Sequence, residues 1–262
     1  MYPLLNYNLT SYDKPVLLVI HGLFGTLDNW YSHSQFWSQY YSVLSMDLRN
    51  HGRSFHDKKM NFKVLCADII QLLESLSINE FSILGHSLGG KVTLYLSQHL
   101  PPSFAINKIF IIDIAARQYL PGHDTLFAAL LSMDLKKIIK RQEAEYYMRN
   151  TISDSATRQF LLKNLVRNED GIGFHWRCNL NVLYKNYHSL IGQVVLSKVI
   201  NIPFYCIKGS LSHYVTDDDF VYYTNYYPHA KMICIANAGH WVHADQPIIF
   251  REKILSLLQE KN

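Results

Sequence analysis

The stretch Phe81-Ser82-Ile83-Leu84-Gly85-His86-Ser87-Leu88-Gly89-Gly90 decides how this chain folds. Its first four residues read as a short buried strand, and the run from Gly90 to His99 reads as a helix. A serine set between glycines at that junction is forced into a strained turn that presents its hydroxyl at the end of a sheet. Side chains at the glycine positions would collide with the neighbouring strand and helix. This is a nucleophile elbow, and it points to covalent catalysis through Ser87.

Outward from the elbow, short apolar runs alternate with helical patterns. Strands are expected at Val16–Ile20, Val43–Met46, Phe81–Gly85, Ile109–Ile114, Phe204–Lys208 and Met232–Ala236, each nearly continuously apolar, as buried parallel strands are. Phe62, Leu65, Ile69, Leu72, Leu73 and Leu76 recur at helical spacing, with Asp68, Gln71 and Glu74 opposite. A last amphipathic helix is expected from Pro247 to Gln259, its proline suited to the first turn. The plan is an α/β protein with a mostly parallel, doubly wound sheet, whose ligands bind at the carboxyl ends of the strands. From Tyr119 to Ser197 the alternation stops. Helices are expected at Asp124–Met133, Asp134–Arg149, Ser153–Val166 and Trp176–His188, with no strand between them. That interval is too long for a simple connection. It predicts a helical cap over residues 119–197, inserted into a core made of residues 1–118 and 198–262.

Composition narrows the function classes. A chain of 262 residues suits one sizeable domain with an insertion. The net charge of +4 is weak and scattered, and Lys136-Lys137 with Lys140-Arg141 is followed by Glu143 and Glu145, so nucleic acid is not an expected partner. Asn6, Asn8, Asp13 and Lys14 interrupt the first thirty residues, which fits neither a signal-peptide core nor a membrane span. Cys66, Cys178, Cys206 and Cys234 lack ligand-like spacing and fall in apolar helix or strand patterns, so they read as reduced core thiols of a cytoplasmic protein. The thirteen histidines show no paired ligand spacing, and no metal is expected.

A serine nucleophile needs a base, an acid to orient the base, and donors for the oxyanion. The base is expected at His240, in Ala238-Gly239-His240-Trp241 after the last strand, while His243 reads as a packing or helix-start residue. His86 reads as a hydrogen-bonding support of the elbow. The oxyanion donors are expected to be the Leu88 N–H and an N–H from His21-Gly22-Leu23-Phe24-Gly25, with Leu23 first and Phe24 next. For the acid, Ser212 occupies the position after the penultimate strand where an aspartate is usual. Asp217, Asp218 and Asp219 follow Thr216 and read as a helix cap and first turn. Asp113, in Ile111-Ile112-Asp113-Ile114-Ala115, is the better candidate, because an aspartate in an apolar run is costly to bury unpaired and His240 would pair it; a structural aspartate bonded to loop amides is the alternative. Phe24, Phe127, Trp176, Tyr214 and Trp241 are candidate walls of an apolar acyl pocket.

These residues resemble a known family. Leu18-Val19-Ile20-His21-Gly22-Leu23-Phe24-Gly25 with Asp28-Asn29-Trp30 is similar to the oxyanion-loop region of YbfF-type esterases, within the α/β-hydrolase superfamily. Met46-Asp47-Leu48-Arg49-Asn50-His51-Gly52-Arg53-Ser54, the elbow through Lys91, and Ile112-Asp113-Ile114-Ala115 are similar too. So are Trp176-Arg177 with Asn179, Tyr214-Val215, and Ala238-Gly239-His240-Trp241-Val242-His243-Ala244. The resemblance implies a cofactor-free esterase with a small helical cap, and an acid after the earlier strand, which matches Asp113. It also implies a small-molecule acyl ester as substrate. A thioesterase acting on acyl-CoA and a carbon–carbon bond hydrolase are alternatives on the same fold. A dehalogenase would need aspartate at position 87. A binding protein using a hydrolase shell is the rival from another class. The Asp47–Ser54 segment reads as a structural loop.

Overall fold

A computed structural model of the chain describes residues 3–260. Its strands are β1 (Tyr7–Leu9), β2 (Val16–Ile20), β3 (Ser42–Met46), β4 (Glu80–His86), β5 (Ala105–Ile112), β6 (Leu165–Arg167), β7 (Phe174–Trp176), β8 (Phe204–Gly209) and β9 (Ala230–Ile235). Seven of them form one sheet in the order β1-β3-β2-β4-β5-β8-β9, in which β1 alone runs antiparallel. The helices are α1 (Tyr31–Trp37), α2 (Phe62–Ser75), α3 (Leu88–His99), α4 (Asp124–Leu131), α5 (Arg141–Arg149), α6 (Ser155–Leu162), α7 (Leu180–Lys185), α8 (Tyr187–Leu190), α9 (Asp217–Thr224), α10 (Val242–Asp245) and α11 (Pro247–Gln259).

The two-residue period of a strand sends alternate side chains to opposite faces. Leu17, Val19, Val43, Leu84, Phe110, Ile112 and Ile207 pack with Trp37 of α1 and Phe250 and Ile254 of α11. Leu18, Ile20, Leu44, Ile83 and Ile111 share the opposite core with Leu65 and Ile69 of α2 and Val92 of α3. Both faces are therefore dry, which is why the strands read as unbroken apolar runs. Asn61 starts α2 by accepting from the Val64 N–H, and Pro247 opens α11. Among the described residues no helix is long and apolar enough to cross a membrane.

Between β5 and β8 the chain makes α4 to α8 and leaves the main sheet. The expected absence of strands there is corrected: β6 and β7 pair as an antiparallel hairpin of three residues each. Its turn holds Gly171 and Gly173 at φ 75° and 67°, and so few residues show no readable alternation. The helices are also shorter than expected. Residues 134–140 remain turns before α5, Asp154 caps α6, and Asn179 caps α7, which breaks at Asn186. The strand expected over Ile109–Ile114 ends at Ile112, because Asp113 takes φ 50°. β1 was not anticipated, being only Tyr-Asn-Leu on the sheet edge. Of the cysteines, Cys66, Cys178 and Cys206 are buried and Cys234 is exposed, a correction explained by its place on edge strand β9. Cys178 sits in the bend after β7 rather than in a helix or strand.

Candidate active site

Strand register brings the site together. His86 pairs with Ile112, and Ile112 with Ile207, so Ser87 and Asp113 leave the sheet side by side. The Ser87 N–H donates to Ile112 O at 3.1 Å, and the Asp113 N–H to Ile207 O at 2.8 Å. Ser87 has φ 53° and ψ −118°, the strained conformation of an elbow. Its glycines are dictated by contact. A Cβ on Gly85 would overlap Gly89 O and Thr93 Oγ1, and one on Gly89 would overlap Ile20 O. Gly89→Ala is accordingly expected to cost about 3 kcal/mol and to lower Tm by about 6–12 °C, read by thermal unfolding. An unchanged Tm would mean that the strand and helix can separate freely.

Asp113 is fully buried. Its carboxylate accepts from His240 Nδ1 at 2.8 Å, from the Gly209 N–H at 3.2 Å, and from the Ser212 hydroxyl through a short hydrogen bond. Donation from Nδ1 leaves Nε2 of His240 as a lone pair, the form a base needs. Ser212 thus stands where an aspartate was expected and instead tethers the aspartate that arrives from β5. The His240 backbone is held as well. His86 Nε2 donates to His240 O at 2.9 Å, and the Gly239 N–H reaches Asp245 at 2.7 Å. Tyr214 stacks on the His240 ring at 3.7 Å. The rival acids are occupied elsewhere. Asp219 closes the capping box of α9 with Thr216 and pairs with Arg117 at 3.1 Å, while Asp217 and Asp218 are exposed in the first turn.

The glycine turn after β2 closes by Gly25 N–H to Gly22 O at 2.9 Å, with Phe24 at φ 61°. Among the described residues no group accepts from the Leu23, Phe24 or Leu88 N–H. His21 braces this turn, donating from Nδ1 to Gly22 O at 2.7 Å and accepting the Leu48 N–H at Nε2. Burial pushes its imidazole down to about 4, and that of His243, stacked on Trp30, to about 3, so both are neutral. Asp47 accepts from the Leu27 and Arg53 N–H groups and from Asn6, as suits a structural loop.

Ser87, His240, Leu23, Phe24, Leu88, Tyr214 and Trp241 line one cavity of about 510 Å³, whose other wall is Leu126, Phe160, Leu161 and Leu190 of the insertion. Two expected wall residues lie elsewhere. Trp176 lines a smaller cleft with Leu130 and Met133 and donates from Nε1 to Leu130 O, because β7 turns its ring away from the cavity. Phe127 is fully buried behind Phe24, 5.1 Å between ring centres. His123, hydrogen-bonded to Tyr187, and Lys91 on α3, neither of them given a role from the sequence, also border the cavity. The Lys91 ammonium is buried and donates to Arg117 O and Gly192 O, both at 2.7 Å, and to Ala116 O at 3.4 Å. It therefore grips the chain shortly after β5 and again ahead of β8. Burial, with Arg117 nearby, pushes it down to about 7.

Residues 15–247 match the family described as the alpha/beta hydrolase fold. The chain is 34% identical to Esterase YbfF of Escherichia coli over 90% of this chain and 89% of that one. It is 33% identical to a putative esterase/lipase of Haemophilus influenzae over 93% of this chain and 84% of that one. A solved marine microorganism esterase superposes with a TM-score of 0.93 at 32% identity, covering 97% of this chain and 99% of the other. The chain belongs to the α/β-hydrolase family, and within it to the YbfF-type esterases.

Proposed function

We propose that this carboxylic ester hydrolase works by acyl transfer through Ser87, with His240 as base and Asp113 as orienting acid. Ser87 Oγ bonds to the acyl carbon while its proton passes to His240 Nε2. The ester C–O bond then breaks, and the same proton leaves on the alcohol. Water repeats the sequence on the acyl-enzyme, releasing a carboxylic acid and restoring Ser87. Asp113 keeps the imidazole in the acceptor tautomer and stabilises its positive form. The Leu23 and Leu88 N–H groups hold the oxyanion, each worth about 3–4 kcal/mol in the transition state. The observation that carries this reading is the buried Asp113–His240 hydrogen bond beside a strained Ser87 on one cavity.

Residues 119–197 act in this reading as a cap over the site, and the apolar wall takes the acyl chain of a small ester, with Phe24, Tyr214 and Trp241 beside it. Acyl thioesters fit the same chemistry. The dispersed free thiols Cys66, Cys178 and Cys206 support a cytoplasmic setting. The test is covalent labelling by a fluorophosphonate, read by intact mass. One adduct on wild type and none on Ser87→Ala is the expected result. A folded wild type that takes no label, on a protein that also leaves p-nitrophenyl esters intact, would turn the reading toward a binding protein.

A further inference from the structure

The turn that is read as the oxyanion hole is held from outside the sheet. Phe24 sits at φ 61°, a left-handed conformation that costs a bulky residue roughly 1–3 kcal/mol and persists only where the surroundings over-determine it. Both of its anchors come from the insertion. Its ring packs on Phe127 of α4, and its carbonyl accepts from Asn164 Nδ2 at 2.7 Å. Asn164 lies between α6 and β6, 2 % exposed. Its own backbone is pinned on both sides, the N–H to Leu161 O at 3.0 Å and the carbonyl by the Arg177 N–H at 2.8 Å. The amide thus has little freedom to search for another acceptor. Its Oδ1 is buried without a hydrogen-bond partner among the described residues, a cost that a merely space-filling residue would not carry.

We propose that Asn164 is a positioning residue, which holds the Phe24 carbonyl so that the Gly22–Gly25 turn aims its N–H groups at the oxyanion. The insertion then completes the catalytic geometry as well as walling the cavity. Drawing it away from the sheet would free the Phe24 carbonyl and leave the turn to the Gly25–Gly22 bond and the His21 brace, which fix Gly22 but not the direction of the Leu23 and Phe24 N–H groups. The inference rests on the acyl-transfer reading of Ser87, and its test keeps the two separate.

Asn164→Leu keeps the volume and removes the donor, and Asn164→Asp keeps the shape and offers an acceptor to a carbonyl. With p-nitrophenyl butyrate, either change is expected to lower kcat by roughly 10²-fold while KM moves less than about threefold. A trifluoromethyl ketone, whose hemiketal oxyanion occupies the hole, is expected to weaken by a similar factor. A residue that only supports the fold would lower Tm and the active fraction but leave ketone affinity per active site unchanged. That result, or kcat within about threefold of wild type, would overturn the proposal. Should both variants fold poorly, the wild type decides it. The Asn164 side-chain N–H signals, followed by NMR, should be protected from hydrogen exchange when the ketone is bound, and free exchange in that complex would overturn the inference. Failure of wild type to take fluorophosphonate at Ser87 is a separate result, which removes the underlying reading.

Discussion

Replacing Asp113 by Asn is expected to lower kcat by roughly 10⁴-fold, nearly as much as Ser87→Ala, with the fold intact. An asparagine amide would donate where the carboxylate accepts. His240 would then present Nδ1 as the acceptor and carry its proton on Nε2, the nitrogen that takes the proton of Ser87 in the proposed acyl transfer. The Ser212 hydroxyl and the Gly209 N–H would face the same amide, so one of three donors loses its partner. Asp217→Asn, by contrast, touches an exposed helix turn and should leave kcat within about twofold. Steady-state kinetics on the two variants decides the acid. The opposite ranking would move that role to α9.

Acid should unfold this protein well before its histidines would titrate one by one. Burial pushes His21 and His33 down to about 4 and His51 and His243 to about 3, and drives His86 well below its ordinary value as well. In the unfolded chain each imidazole binds a proton near 6.5. Between about pH 6.5 and 4 the unfolded state therefore holds more protons than the folded one. Stability is fully present above 6.5 and falls as the pH drops through that window. The depressions of His21, His33, His51 and His243 each correspond to roughly 3–5 kcal/mol, a large share of the ~5–15 kcal/mol by which a typical domain is stable. The urea midpoint is expected to decline steeply between pH 7 and pH 5, with the slope eased by about one proton in His51→Asn. A midpoint flat over that range would mean that these imidazoles reach water in the folded state.

Much of this was legible in the residues because burial leaves a compositional trace. The strands on both sides of the elbow are dry on two faces, so β2, β4, β5 and β8 announce themselves as unbroken apolar runs. Asp113 stood out because a carboxylate in such a run demands a partner, and His240 follows a strand whose end lies nearby. The rest was hidden for physical reasons. Ser212 lies 99 residues from Asp113, and a hydroxyl in a loop carries no sign of what it will bond. Trp176 was expected in the cavity, yet an aromatic does not show which way a three-residue strand turns it. Cys234 sits in a run as apolar as its neighbours, and only the order of strands reveals that β9 is an edge. Asn164 carries no signal beyond its own polarity. Its meaning appears when the Phe24 carbonyl, 140 residues earlier, arrives beside it.

Lys91 sets a condition on how this architecture can be rebuilt. The helices between β5 and β8 are the natural place to graft a different segment, since the main sheet neither pairs with them nor runs through them. Yet the ammonium on α3 expects carbonyls from residues 116, 117 and 192. A transplanted segment that joined elsewhere would leave that buried amine without its three carbonyl acceptors. Chimaeras should therefore splice inside these attachment points, between Tyr119 and Ile191, or change Lys91 to an apolar residue in the same step. The segment can then be exchanged as a cassette while α3 keeps its footing.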